Sequence, residues 1–195
     1  MRVFIAIDID DAIRERIARF MDGVRGFAPD ARWVQPEALH ITLKFIGEKP
    51  DDAVEEIRKG LATIRHVAVD LQFRGYGFFP SARAPRVFWI GIVAGPLLGS
   101  LAALVDETMS SLKIPKEDHA YSPHLTLARG AGSSGSPRWR RGDRANAAFQ
   151  RLQEKLAALP TPEFGTMTAR EFFLYQSRLS PKGSRYTKLA GFALH

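Results

Sequence analysis

The strongest constraint on the fold of this chain is an internal repeat. The segment His40-Ile41-Thr42-Leu43 recurs as His124-Leu125-Thr126-Leu127 at an offset of 84 residues, and Arg2-Val3-Phe4 recurs as Arg86-Val87-Phe88 at the same offset. Two copies indicate a duplicated unit rather than a solenoid, which needs three or more repeats. We therefore expect one bilobal domain over residues 1–195, built from pseudo-repeats at about 1–80 and 85–195.

Hydrophobic periodicity predicts strands that alternate with helices, which is typical of an α+β or α/β protein. The predicted helices cover residues 10–26, 51–65, 96–112 and 144–159. The predicted strands cover residues 2–9, 31–35, 39–46, 67–79, 86–93, 121–128, 163–175 and 185–194. The first strand follows Met1 directly, which does not fit a signal peptide.

The repeated motif is suited to proton transfer. On a strand, residues i and i+2 point to the same face, so each copy presents one imidazole beside one hydroxyl. Two imidazoles in one cleft can deprotonate an attacking water and protonate a departing alkoxide. The hydroxyls of Thr42 and Thr126 can stabilise the charge of a phosphoryl transition state. We therefore expect His40, Thr42, His124 and Thr126 to form one catalytic site.

Two other kinds of site fit the sequence poorly. Zinc takes three or four His, Cys, Asp or Glu ligands, and here the partner of each motif histidine is threonine. A Ser-His-Asp site gives no role to a second histidine, and no Gly-x-Ser-x-Gly segment is present. We therefore expect no metal and no cofactor.

The charge distribution favours an anionic partner. The net charge is +7, and residues 67–195 carry 17 Lys and Arg against 9 Asp and Glu, whereas residues 1–66 carry 11 against 12. RNA or a phosphorylated ligand would suit this basic part. The chain has no cysteine, which fits the reducing cytoplasm. No apolar run approaches the length of a membrane span, so we expect no membrane partner.

Longer segments around the motifs resemble a known family. Residues 32–48 (RWVQPEALHITLKFIGE), 122–129 (SPHLTLAR) and 174–179 (LYQSRL) are similar to the RNA 2′,3′-cyclic phosphodiesterases, also called 2′-5′ RNA ligases, of the two-histidine (2H) phosphoesterase superfamily. The resemblance implies a bilobal LigT-like fold with a duplicated β-α-β-α-β unit and two antiparallel sheets facing a central groove. It also implies metal-independent hydrolysis of RNA 2′,3′-cyclic phosphate ends to 2′-phosphates, with His40 as general acid and His124 as general base.

The same resemblance suggests that Phe45 and Arg129, each five residues after a motif histidine, flank the terminal base, with Arg129 also near the phosphate. Stacking on an aromatic ring or a guanidinium is a common way to hold an unpaired base. Strict alternation, however, places both side chains on the face opposite the histidines. We therefore expect Phe45 to be a core residue unless the strand bulges or ends before it.

Further substrate contacts are predicted in the second half. Arg138 and Trp139 lie in an arginine-rich loop that could contact RNA, and Ser177 and Tyr186 could extend the same surface. Three alternatives remain open: a cyclic phosphodiesterase acting on small nucleotides, 2′-5′ RNA ligase activity by reversal of the same chemistry, and a non-catalytic RNA-binding module. We expect a monomer.

Overall fold

The computed structural model describes residues 1–131, 147–181 and 183–195. Its four α-helices are α1 (Asp11–Val24), α2 (Asp51–Ala62), α3 (Pro96–Ser111) and α4 (Gln150–Ala157). The described strands are β1 (Arg2–Asp8), β2 (Arg32–Trp33), β3 (His40–Glu48), β4 (Val69–Phe79), β5 (Val87–Val93), β6 (His124–Arg129), β7 (Glu163–Ala169), β8 (Glu171–Ser180) and β9 (Gly183–Ala193). Short 3₁₀ turns occupy 25–27, 36–38 and 147–149.

The strands form two antiparallel sheets, as the α+β prediction requires. The first sheet has the order β3-β1-β8-β9, and the second has the order β2-β6-β5-β4-β7. Each sheet therefore takes strands from both ends of the chain. Strand β4 pairs with β5 and β7, while β8 pairs with β1. The predicted strand over 163–175 is in fact two strands that belong to different sheets, because the chain leaves the second sheet at Arg170.

Successive residues of β1 point alternately into the main core and toward the groove. Val3, Ile5 and Ile7 of β1 are almost fully buried in the main core together with the apolar stripe of α1, which is Ile13, Ile17, Met21 and Val24. The even-numbered residues of β1 face the other way. Phe4 and Ala6 form a small separate cluster with Phe173 and Tyr175 of β8. This second face of the first sheet forms one wall of the groove described below.

The pairing of the strands corrects one part of the predicted repeat. Asp8 pairs with His40, and Gly91 pairs with His124. Equivalent positions of β1 and β5, the first strands of the two repeats, are therefore 83 residues apart in the sequence, whereas the two histidines are 84 residues apart. Phe4 consequently lies on the groove face, while Phe88 is buried in the core. The matching Arg-Val-Phe triplets do not occupy equivalent positions.

None of the helices within the described ranges is long and apolar enough to cross a membrane.

Candidate active site

The two copies of the motif meet in one pocket. His40 begins β3 and His124 begins β6, so each motif histidine is the first residue of a strand near the groove. The pocket contains both histidines and both threonines, together with two residues predicted to bind substrate, Arg129 and Tyr186. Its lining residues are Val34, Ala38, His40, Thr42, His124, Thr126, Arg129 and Tyr186.

Backbone carbonyls fix both imidazole rings in the same way. Nδ1 of His40 lies 2.7 Å from the carbonyl oxygen of Ala38, and Nδ1 of His124 lies 2.7 Å from that of Ser122. A carbonyl oxygen can only accept, so Nδ1 is the protonated nitrogen in each neutral ring. This leaves Nε2 of each histidine as the nitrogen that can take or give a proton.

The threonines differ in their contact with the histidines. The hydroxyl of Thr42 lies 3.1 Å from Nε2 of His40 and donates to it when the ring is neutral. Thr126 lines the pocket, but the hydrogen bonds between described residues include no such contact from Thr126 to His124. The reactive nitrogen of His40 is therefore already engaged by its own motif.

A β-bulge in each histidine strand reverses the alternation. In β3, Lys44 pairs with Ile5 but Thr42 pairs with Ala6, so Leu43 is an extra residue. In β6, Ala128 pairs with Phe88 but Thr126 pairs with Trp89, so Leu127 is the extra residue. The two bulges lie at matching positions of the repeat. Each one turns the residue two places further on toward the groove.

The bulges make the strict-alternation prediction wrong for Phe45 and Arg129. Arg129 lines the pocket with the histidines. Phe45 is 49% exposed and pairs with Phe4 on the groove face, although it does not line the pocket itself. The guanidinium carbon of Arg2 lies 5.0 Å from the centre of the Phe45 ring, which is a cation–π contact.

The other predicted binding residues have different outcomes. The Tyr186 ring lies edge-on to His40, with 5.2 Å between ring centres. Ser177 pairs with Tyr186 and Arg2 across the sheet but does not line the pocket. Arg138 and Trp139 lie outside the described residues.

Burial lowers the pKa of both motif histidines. The pKa of His40 falls to about 4, chiefly because the ring is desolvated; Arg129 and His124 lower it further, while the Ala38 bond and Asp8 act against the shift. The pKa of His124 is also lowered, first by burial and then by Arg129, against the Ser122 bond. Both rings are therefore neutral at pH 7. A bound anion would offset Arg129 and favour protonation.

Three residues that support the site, Asp8, Arg14 and Tyr121, lie in no motif of the sequence. Arg14 of α1 donates to the carbonyl oxygens of Pro36 and Leu39, on either side of Ala38, and to Asp8. The hydroxyl of Tyr121 donates to the carbonyl oxygen of Thr42 at 2.9 Å, which ties the segment before His124 to the first motif. Burial raises the pKa of Tyr121, so it remains a donor. No local pattern marks the contacts to carbonyl oxygens, because each donor lies 22 to 79 residues from its acceptor.

Comparison with known proteins gives consistent matches. A family model described as "LigT like Phosphoesterase" matches residues 7–89. The RNA 2′,3′-cyclic phosphodiesterase of Archaeoglobus fulgidus is 33% identical over 192 residues, covering 98% of this chain and 99% of that protein. The protein of the same name from Methanothermobacter thermautotrophicus is 31% identical over 197 residues, covering 100% and 99%.

A solved structure agrees with these matches. E. coli LigT complexed with 3′-AMP is similar to this chain with a TM-score of 0.76 and 26% identity, covering 99% of this chain and 97% of that one.

Proposed function

Because this chain belongs to the LigT-like phosphoesterase family, we propose that it hydrolyses RNA 2′,3′-cyclic phosphate ends to 2′-phosphates without a metal. The observation that carries the proposal is the pocket itself. It holds two histidines whose Nε2 atoms can take or give a proton, two threonine hydroxyls and one arginine, which together match the charge and the two proton transfers of cyclic phosphodiester hydrolysis.

In the proposed reaction the phosphodiester anion lies against the guanidinium of Arg129. The hydroxyls of Thr42 and Thr126 donate to its non-bridging oxygens. Nε2 of His124 accepts a proton from water as the water oxygen bonds to phosphorus. The bond from phosphorus to O3′ breaks, and O3′ takes the proton from Nε2 of His40. The product is a 2′-phosphate with a free 3′-hydroxyl.

The charge of the substrate prepares His40 for this role. Before substrate binds, the Thr42 hydroxyl donates to an unprotonated Nε2 of His40. Once the anion binds, it favours the protonated imidazole, and the Thr42 hydroxyl is released to donate to a phosphate oxygen instead. Each proton-transfer role is typically worth about 10²- to 10⁴-fold in rate.

A second groove supports RNA over a small nucleotide as the substrate. It is about 880 Å³ in volume and shares Ala38 and Tyr186 with the catalytic pocket. In an in-line displacement the leaving oxygen lies opposite the attacking water, so the ribose lies on the side of His40. The second groove adjoins that side, and its other lining residues are Gln35, Glu37, Ser180, Pro181, Gly183, Ser184 and Arg185. It has room for an upstream nucleotide.

The test compares 2′,3′-cyclic AMP with an oligoribonucleotide that carries the same cyclic end, both in excess EDTA. We expect turnover of both, a 2′-phosphate product and a higher kcat/KM for the oligonucleotide. Strict dependence on added metal, or a 3′-phosphate product, would contradict the proposed reaction. Equal kcat/KM values would favour the small-nucleotide alternative. RNA binding without turnover would favour a non-catalytic module.

We also propose that the protein acts as a monomer in the cytoplasm. The pocket is lined by residues of one chain, and the sequence has no cysteine that an oxidising compartment would pair. Light scattering at micromolar concentration tests the monomer directly.

A further inference from the structure

The residue that faces each catalytic histidine from the neighbouring strand differs between the two halves. On β1 the partner of His40 is Asp8. On β5 the partner of His124 is Gly91. Directly paired residues on antiparallel strands have side chains on the same face. One motif histidine therefore has a carboxylate beside it, and the other has no side chain there.

The backbone prevents a carboxylate from occupying the second position. A Cβ atom added at Gly91 would lie 2.5 Å from the carbonyl oxygen of Arg74, which is closer than real Cβ atoms approach backbone. The bulge between Phe73 and Tyr76 of β4 brings Arg74 toward β5 at this point. The asymmetry is therefore built into the second sheet.

Asp8 is held in place from three directions. Arg14 Nη2 lies 2.5 Å from its Oδ1, Lys188 Nζ lies 2.6 Å from its Oδ2, and the backbone N–H of Ile9 donates to it at 2.9 Å. Burial raises the pKa of Asp8, but the Lys188 and Ile9 hydrogen bonds and the charges of Arg14 and Lys188 outweigh burial, so the net shift is downward. Asp8 is therefore ionised at neutral pH.

Among the described residues, the charges that shift the pKa of His40 are those of Asp8, Arg129 and His124, and of these only Asp8 is negative. Burial raises the pKa of Tyr175, which keeps its hydroxyl neutral. The other titratable groups near His40 are Arg14 on α1, the exposed Glu37 in the turn before β3, His124 and Arg129 on β6, Tyr175 on β8, and Tyr186 and Lys188 on β9. Arg129 and a protonated His124 oppose a positive charge on His40, whereas Asp8 favours it.

We propose that Asp8 is a positioning residue that favours the protonated form of His40, the histidine proposed as the general acid. Its carboxylate stabilises the imidazolium of His40 from the adjacent strand, and Gly91 gives His124 no such support. This inference rests on the proposed function, since it concerns the histidine that the proposed function makes the acid.

Asp8 also helps to orient the His40 ring through Arg14. The guanidinium that bonds Asp8 donates at 2.6 Å to the carbonyl oxygen of Pro36 and at 3.3 Å to that of Leu39. Between these two residues lies Ala38, whose carbonyl oxygen accepts from Nδ1 of His40. The same carboxylate thus holds the arginine that fixes the turn before the histidine.

Two substitutions that change the charge near His40 in opposite directions test the proposal. Asp8→Asn removes the negative charge and leaves Arg14 and Lys188 uncompensated, so the pKa of His40 should fall by about one unit. Lys188→Met removes a cation that partly neutralises Asp8, so the pKa of His40 should rise. NMR titration of the His40 and His124 ring protons measures both shifts, and the His124 pKa should move less in each variant. Asp11→Asn is the matched control, because Asp11 is an exposed aspartate 3.9 Å from the same arginine.

Kinetics gives a second measurement. A fall of one unit in the pKa of His40 reduces its protonated fraction about tenfold above that pKa, so kcat/KM of Asp8→Asn at pH 7 should fall about tenfold. The Asp11→Asn variant should retain wild-type kcat/KM.

The outcomes separate this inference from the proposed function. Shifts of the His40 pKa in the same direction in Asp8→Asn and Lys188→Met, or no shift in either, would overturn the role of Asp8. A wild-type protein without phosphodiesterase activity would overturn the proposed function, while the titration would still report whether Asp8 acts on His40.

Discussion

His40 and His124 have the same local backbone geometry but different neighbouring side chains. In both, Nδ1 of the histidine donates to the carbonyl oxygen of the residue two positions before it. In both, a bulge three positions after the histidine turns the residue five positions after it, Phe45 or Arg129, toward the groove. They differ in what surrounds this frame. His40 has Asp8 opposite it and Thr42 on its Nε2, whereas His124 has Gly91 opposite it and the rings of Phe79 and Trp89 nearby.

The repeated motif gives both histidines the same local geometry, and the residues around the motif distinguish them. A symmetric pair of imidazoles has no preferred direction of proton transfer. Differences in nearby charge and hydrogen bonding change the proton affinity of each ring by known physical rules. In the proposed mechanism, the acid and base roles therefore depend on residues outside the repeated motif.

The largest expected effect comes from removing either histidine. His40→Ala and His124→Ala should each lower kcat about 10²- to 10⁴-fold, since each removes one proton-transfer group. The double variant should lose much less than the product of the two single losses, because the groups act together. Steady-state assays with 2′,3′-cyclic AMP, together with circular dichroism to confirm folding, measure this. A single variant that keeps more than a tenth of wild-type kcat would show that the substituted histidine is not one of the two proton-transfer groups.

The bulge in β3 creates a buried ion pair that has no counterpart in β6. In β3 the bulge turns Lys44 inward, where its ammonium lies 2.5 Å from Asp106 and 3.5 Å from Glu117, while the matching residue in β6 is the buried Ala128. Asp106→Asn leaves a buried cation with a poorer partner and should reduce the free energy of unfolding by about 3 kcal/mol.

The control for this prediction replaces the cation instead. Lys44→Met makes the first half resemble the apolar second half and should change the free energy of unfolding by less than about 1 kcal/mol. Urea denaturation measures both variants. Equal losses in the two would show that the ion pair itself, rather than the uncompensated charge, dominates.

Arg129 lowers the pKa of both histidines, so replacing it tests the electrostatic environment that they share. Arg129→Met should raise the pKa of His40 and of His124, because the guanidinium lowers both. The pH–rate profile should therefore move to higher pH as a whole. Affinity for inorganic phosphate, used as a competitive inhibitor, should fall about tenfold or more, because a charge-assisted contact is lost. A shift of only one limb of the profile would show that Arg129 serves one histidine.

The smallest effect is expected from the contact that joins the two motifs. Tyr121→Phe removes the hydrogen bond to the Thr42 carbonyl oxygen and should cost about 1 kcal/mol of unfolding free energy. Phe keeps the ring volume, so thermal unfolding isolates the hydroxyl. Unchanged stability would show that the bridge contributes little to holding the motifs together.

Much of the site could be predicted from the sequence because the motif carries its own geometry. Two His-x-Thr segments in β-favouring runs place an imidazole and a hydroxyl on one face of each strand, and their equal spacing indicated that the two faces meet. The pocket that contains His40, Thr42, His124 and Thr126 agrees with that expectation. The helices were also predictable, since their apolar stripes repeat at helical spacing.

The bulges and the residues that face each histidine could not be predicted from the sequence, because strand pairing depends on contacts between residues far apart in the chain. Alternation within a strand could not reveal the bulges at Leu43 and Leu127, which appear only in the register with β1 and β5. The sequence alone therefore determined the chemistry of the two motifs. The tertiary structure decided which charges surround each one, since Asp8 reaches His40, and Gly91 reaches His124, only through the sheet.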